Sequence, residues 1–150
     1  MEAETRTEGQ LAMAEVELLL GQLDSAEQRT RQTLDEAIRF ELLWLIARAQ
    51  RILGSILAIR SHQEEQAQAE LQQQATDYFE QALTTLRKSG MRLEYARTLR
   101  ACGLALLRQG YWQRTRALQS LHEAHELFVA CNAIPEAQAT EHLLQGYEAL

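Results

Sequence analysis

Apolar positions return along this chain at helical spacing, and twice they return in the same order. One stretch reads Ala49, Leu53, Gly54, Leu57 and then Ala75, Phe79, Ala82, Leu86. The next reads Thr98, Cys102, Gly103, Leu106 and then Ala117, Leu121, Ala124, Phe128. The second halves superpose residue for residue at a constant offset of 42. Spacings of three and four residues place each set on one helix face. A Gly or Ala there lets a neighbouring helix come close, and the large residues a turn away fill the space beside it. A helix pair patterned this way cannot bury its apolar face alone, so it stacks on its neighbours. The pattern predicts helical hairpins in series.

Seven helices account for the chain. The first runs from about Glu8 to Leu20, with Leu11, Ala14 and Leu18 on its apolar side. Gly21 to Ser25 forms a turn, and Asp24 or Ser25, with Gln28 three residues on, is the expected cap of the second helix. That helix runs to about Arg39. No Gly or Pro marks its end, and repeat phase alone places a break between Ile38 and Leu42. The third helix covers about Leu43 to Arg60. Gly54 to Ala75 spans 21 residues where Gly103 to Ala117 spans 14, so longer helices and a short turn near Ser61 to Glu64 absorb the excess. The fourth helix ends at Lys88, before Ser89-Gly90. The fifth spans Leu93 to Gln109 and the sixth Arg114 to Cys131. Pro135 then opens a seventh, Glu136 to Leu150. No alternating β-branched run and no Asn-Gly or Asp-Gly hairpin turn occurs, so the reading is all-α.

Composition narrows the picture. The 150 residues are 46% hydrophobic with a single proline, enough for one helical domain over 1–150 with a real core. The longest apolar stretch, Phe40 to Ile59, is interrupted by Glu41, Arg48, Gln50 and Arg51, so no membrane span is expected. The acidic, polar start is unlike a secretion signal, and Cys102 and Cys131 read as reduced thiols of a cytoplasmic protein. Arginine outnumbers lysine 14 to one, a usage typical of GC-rich bacterial genes.

The order small residue, Gly, large residue, then Ala–x3–large–x2–Ala resembles the tetratricopeptide repeat. Gly54 and Gly103 match the glycine of its first helix. Ala75, Phe79 and Ala82, and again Ala117, Leu121 and Ala124, match its second helix. Ala14, Gly21, Leu23, Ala26, Thr30 and Thr33 form a degenerate first copy, so the resemblance covers about residues 8–150. The repeats exceed the family's usual length. They are similar to the long variety of bacterial transcriptional activators and signalling ATPases. The resemblance implies a right-handed solenoid of three hairpins plus a final helix. It also implies a protein-interaction module of a bacterial regulatory or signalling protein, and the chain reads as a possible fragment of one. The alternative is a regulatory domain that senses a small molecule or short peptide.

Candidate chemistry is sparse. Phosphate-loop, dinucleotide, nucleophile-elbow and paired-cysteine motifs are missing from the sequence, so neither an enzyme nor a cofactor is expected. His122 and His125 share a helix face, and His142 follows on the next helix. The i, i+3 spacing is not that of a zinc protease, and the set reads as polar surface rather than a metal site. Charge is segregated. Residues 1–36 carry nine acidic and three basic side chains, and residues 87–116 carry eight basic and one acidic. A net charge of −6 argues against nucleic acid as a direct partner. Arg48 and Arg51 recur as Arg97 and Arg100 when counted from the motif glycine. In the family those places line the concave groove, and Arg108 falls on the same lining. Paired guanidinium groups suit carboxylates or phosphates, and the expected partner is a protein or peptide with acidic groups. The competing reading is internal pairing with Glu94 or with the acidic terminal helices. The apolar residues Ala137, Leu143, Leu144, Tyr147 and Leu150 of the last helix lack a following partner helix; either the helix caps the array, or the expectation is a homodimer through it or a missing downstream segment.

Overall fold

Four of the turns between helices share one backbone recipe, and that recipe sets the architecture. In the computed structural model, which describes residues 2–110 and 113–149, the helices are α1 (Glu2–Leu19), α2 (Leu23–Arg39), α3 (Leu43–Gln63), α4 (Gln68–Ser89), α5 (Arg92–Arg108), α6 (Arg114–Ala130) and α7 (Ile134–Glu148). Among the described residues there is no strand, and one 3₁₀ turn, Glu65–Ala67, separates α3 from α4. At the ends of α1, α2, α4 and α6, one residue enters the left-handed region: Gly21 (φ 77°), Glu41 (φ 54°), Gly90 (φ 68°) and Asn132 (φ 57°). The next amide reaches back five residues: Gln22 to Glu17, Leu42 to Ala37, Met91 to Leu86, Ala133 to Phe128. These are Schellman closures, which satisfy the last carbonyls and reverse the chain within three residues. The chain is therefore a series of helical hairpins, as the apolar pattern predicts.

Local signals explain three of these turns. Gly and Asn tolerate the left-handed conformation, whereas Glu41 carries a Cβ penalty there. Replacing Glu41 by Gly is expected to raise stability by about 0.5–1 kcal/mol. Urea unfolding measures this directly; an unchanged or lower midpoint would mean the turn is not strained. The second helix differs from expectation at its start. Its N-cap is Gln22, without a side-chain cap bond, and Asp24 and Ser25 lie inside the first turn. The Ser25 hydroxyl instead bonds the Glu17 carboxylate on α1. The excess residues before Ala75 are absorbed by lengthened α3 and α4, with the turn falling just after the stretch expected for it.

Packing divides the chain into two compact units, Met1–Thr85 and Leu86–Leu150. The division falls inside α4. In the first unit, Leu11, Ala26, Ala37, Leu45, Ala49, Ile52 and Ile56 form the core, with Leu18, Leu34, Trp44 and Ile46 packed at its edge. The distal edge of the Phe79 ring abuts Gly54, so close that a Cβ at position 54 would stand 2.8 Å from its Cζ. In the second unit Leu121 covers Gly103 in the same way, and Ala117, Ala124 and Phe128 are fully buried around it.

The degenerate first copy follows the same register. Ala26, Thr30, Thr33 and Ala37 are buried on α2 at the spacing of Ala75, Phe79, Ala82 and Leu86. The threonines keep their hydroxyls satisfied without a partner helix: Thr30 donates to the Ala26 carbonyl and Thr33 to that of Arg29. Buried Thr7, Thr98 and Thr140 use the same i−4 carbonyl. A buried hydroxyl bonded this way avoids the cost of an orphaned polar group. In α7, Ala137 and Leu144 are buried, Leu143 and Tyr147 are half-buried, and Leu150 lies outside the described residues. No helix is long and apolar enough to cross a membrane among the described residues.

Candidate functional site

The recurring arginines stand on the first helix of each hairpin, one turn apart, because the repeat fixes their phase relative to the motif glycine. In the first unit Arg48 and Arg51 project from α3 to Glu15 on α1. Arg48 donates through Nε and Nη2 at 3.1 and 2.9 Å, one bond to each carboxylate oxygen, and Arg51 adds a third at 2.9 Å. The two arginine side chains are only 14% and 11% exposed. A carboxylate held by one bidentate fork and a second guanidinium ties the first helices of successive hairpins together.

Burial alone would push the Glu15 carboxyl up. The hydrogen bond from Arg48 and the charges of Arg51 and Arg48 outweigh it and hold Glu15 below its ordinary value near 4.5. A carboxyl depressed in the folded state stabilises fully above its unfolded pKa, and that contribution is lost as pH falls through the folded value. Glu15→Gln is therefore expected to be less stable than wild type near neutrality, with the gap closing below about pH 4. Unfolding midpoints across that range test it; a gap independent of pH would show that the pair does not set this stability.

In the second unit Arg97, the counterpart of Arg48, uses the same fork in the opposite direction along the array. It grips Glu136 on α7 through Nε and Nη2 at 2.9 and 3.0 Å, and reaches Glu94 on its own helix at 2.5 Å. The bond to Glu136 and the two carboxylate charges raise the Arg97 pKa further above its ordinary range. Glu94 and Glu136 are themselves 42 apart, so Arg97 joins repeat-equivalent acids. Arg100 lies over the ring of Phe128, 5.4 Å from its centroid, a cation–π geometry. Arg108 sits in the last turn of α5, exposed, and its side chain has no hydrogen bond or ion pair among the described residues.

Arg48 and Arg51 thus meet within one unit and Arg97 and Arg100 within the other, each engaged inside its unit. An anion binding there has to displace a bidentate carboxylate or an aromatic face. The acidic first helices are laced by the same chemistry: Arg29 bonds Glu17, Arg60 bonds Glu27 and Asp24, and Arg6 bonds Glu36. His122 bonds Glu148 across α6 and α7 at 2.6 Å, and the described residues contain no group of three potential metal ligands. Cys102 and Cys131 carry half-buried reduced thiols.

Two features escape sequence reasoning. One is Gln50, whose Nε2 bonds Gln81 while its Oε1 is buried without a partner, beside Asp77 and Glu80 in a polar cleft between α3 and α4. The other is an apolar cleft of about 240 Å³ in the second unit, where Leu86, Met91, Tyr95 and Leu127 meet between the end of α4, α5 and α6. Arg87 and Arg92 flank it. No sequence period marks it, because it forms where three helices meet. Comparison with protein-family models, with curated proteins and with solved structures found no match to this chain.

Proposed function

We propose that this chain is a protein–protein interaction module, a short solenoid of tetratricopeptide-like hairpins belonging to a cytoplasmic bacterial regulatory or signalling protein. The observation that carries the reading is the shared register of the hairpins: Phe79 seated on Gly54 and Leu121 seated on Gly103, with identical turns after α2, α4 and α6. Arrays of this kind repeat their buried positions and vary their exposed ones, which leaves the exposed faces to recognise a partner. The candidate contacts are Arg48 and Arg51 within the first unit and, separately, Arg97, Arg100 and Arg108 within the second, and the partner is a protein segment rich in carboxylates. Such a segment exchanges its own carboxylates for Glu15 in the first unit, or for Glu94 and Glu136 in the second, so each arginine set is held in place until the partner arrives.

Affinity capture from the native cytosol tests this. Wild type is expected to retain a partner in stoichiometric amount, with retention falling as salt rises. Both Arg108→Glu and the Arg97→Glu/Arg100→Glu variant should lose it while keeping their helicity by circular dichroism. Equal retention by wild type and both folded variants overturns the arginine face.

A further inference from the structure

The turn between α4 and α5 departs from the other turns of the array in one respect. Counted by the repeat offsets of 49 and 42, Arg87 stands where the neighbouring copies have Ile38 and Val129. Arg92 stands where they have Leu43 and Ile134. Those four apolar side chains are each more than half exposed, so the position does not serve a core in any copy. The internal repeats act as a control: the hairpin closes equally well with aliphatic residues here. Two arginines at this turn are therefore not a requirement of the fold.

They frame a cleft. Its floor is Leu86, Met91, Tyr95 and Leu127, and Glu123 stands at one edge. Arg87 is fixed in place: its guanidinium lies 5.4 Å from the Tyr95 ring centroid and donates to the Tyr95 hydroxyl at 2.5 Å. The Arg92 side chain is exposed and has no hydrogen bond or ion pair among the described residues. The volume of about 240 Å³ equals the liquid volume of about eight waters. That is below the roughly 300 Å³ at which pockets for drug-sized ligands begin. It is enough for one large side chain. An apolar floor beside one anchored and one unengaged guanidinium selects an apolar group with a carboxylate next to it.

We infer that this cleft is a docking point for a partner protein segment that inserts one large apolar side chain, with an adjacent Asp or Glu pairing to Arg92. The inference rests on the interaction reading above but moves the contact away from the self-paired arginines of α3 and α5. A side chain buried against Leu86, Met91 and Leu127 supplies the affinity. The arginine pair supplies the preference for acid and a dependence on salt.

The test is an amide-shift titration of the whole chain with a blocked peptide, Gly-Ser-Phe-Glu-Glu-Ser, at concentrations up to the order of 10 mM. Shifts are expected to concentrate at Gly90, Met91, Tyr95 and Leu127. Changing the peptide's Phe to Ala, or both Glu to Gln, should weaken binding at least about tenfold, as should Arg92→Glu in a protein of unchanged circular dichroism. Absence of shifts, or undiminished binding by Arg92→Glu, overturns the cleft. Shifts confined to the surroundings of Arg97 and Arg108 overturn it too, while leaving the interaction reading standing. Failure of the interaction reading is separate: cytosolic capture then fails whatever the peptide does.

Discussion

Phe79→Ala is expected to destabilise the first unit by about 3–5 kcal/mol, the cost of a cavity where a fully packed aromatic ring stood. Phe79 is 2% exposed, and its ring edge fills the space that Gly54 leaves by having no Cβ. The pairing makes a sharper test than the single variant. Gly54→Ala alone should destabilise, because the new Cβ would meet Phe79 Cε1 at 2.9 Å and the ring is enclosed. In the Phe79→Ala background the obstacle is gone. The same Gly54→Ala change should then stabilise by up to about 1 kcal/mol through helix propensity. Denaturant unfolding of the four proteins measures the cycle. A simple sum of the two single effects would show that the ring and the glycine do not touch in solution.

Gly103→Leu is expected to cost about 1–3 kcal/mol or more by overpacking in the second unit. The obstruction there is of a different kind. A Cβ at 103 would stand 2.9 Å from Leu121 Cγ and 3.1 Å from the Ala117 carbonyl oxygen. A side chain can rotate away, but a helix carbonyl cannot, so α5 and α6 must separate. Even Gly103→Ala should lose stability despite the better helix propensity of alanine. Gly9 in α1 serves as the control, since a Cβ there meets nothing within 4 Å and Gly9→Ala should gain stability. Thermal melts of the three variants decide it. Equal effects at positions 9 and 103 would remove the close approach as the reason for the glycine.

The repeat was legible because its determinants are local and periodic. Small residues at Ala75, Ala82, Ala117 and Ala124, with Phe79 and Leu121 between them, share a helix face at a spacing that any tight hairpin imposes. The break near Phe40 was legible only through repeat phase. Glu41 carries no turn signal of its own, and it takes the left-handed conformation because the helices on either side leave the chain no other path. The cap assigned to Asp24 or Ser25 shifted for a related reason. The closure at Gly21 and Gln22 starts the helix early and releases Ser25 to bond Glu17.

By itself the sequence determined the class of this protein: seven amphipathic helices in hairpin series, with Gly54 and Gly103 marking where helices touch. Apolar periodicity acts through the nearest turns of one helix, and each residue carries that information independently of distant ones. Tertiary structure alone decided what the arginines do. Arg48 and Arg97 look equivalent along the chain, yet one is held by Glu15 from the preceding hairpin and the other by Glu136 from the following one. Arg87 and Arg92, unremarked in the sequence, flank an apolar cleft. A guanidinium's partner is set by which carboxylate or ring arrives within about 3–5 Å after packing. That distance is a property of the assembled helices, and no spacing along the chain encodes it.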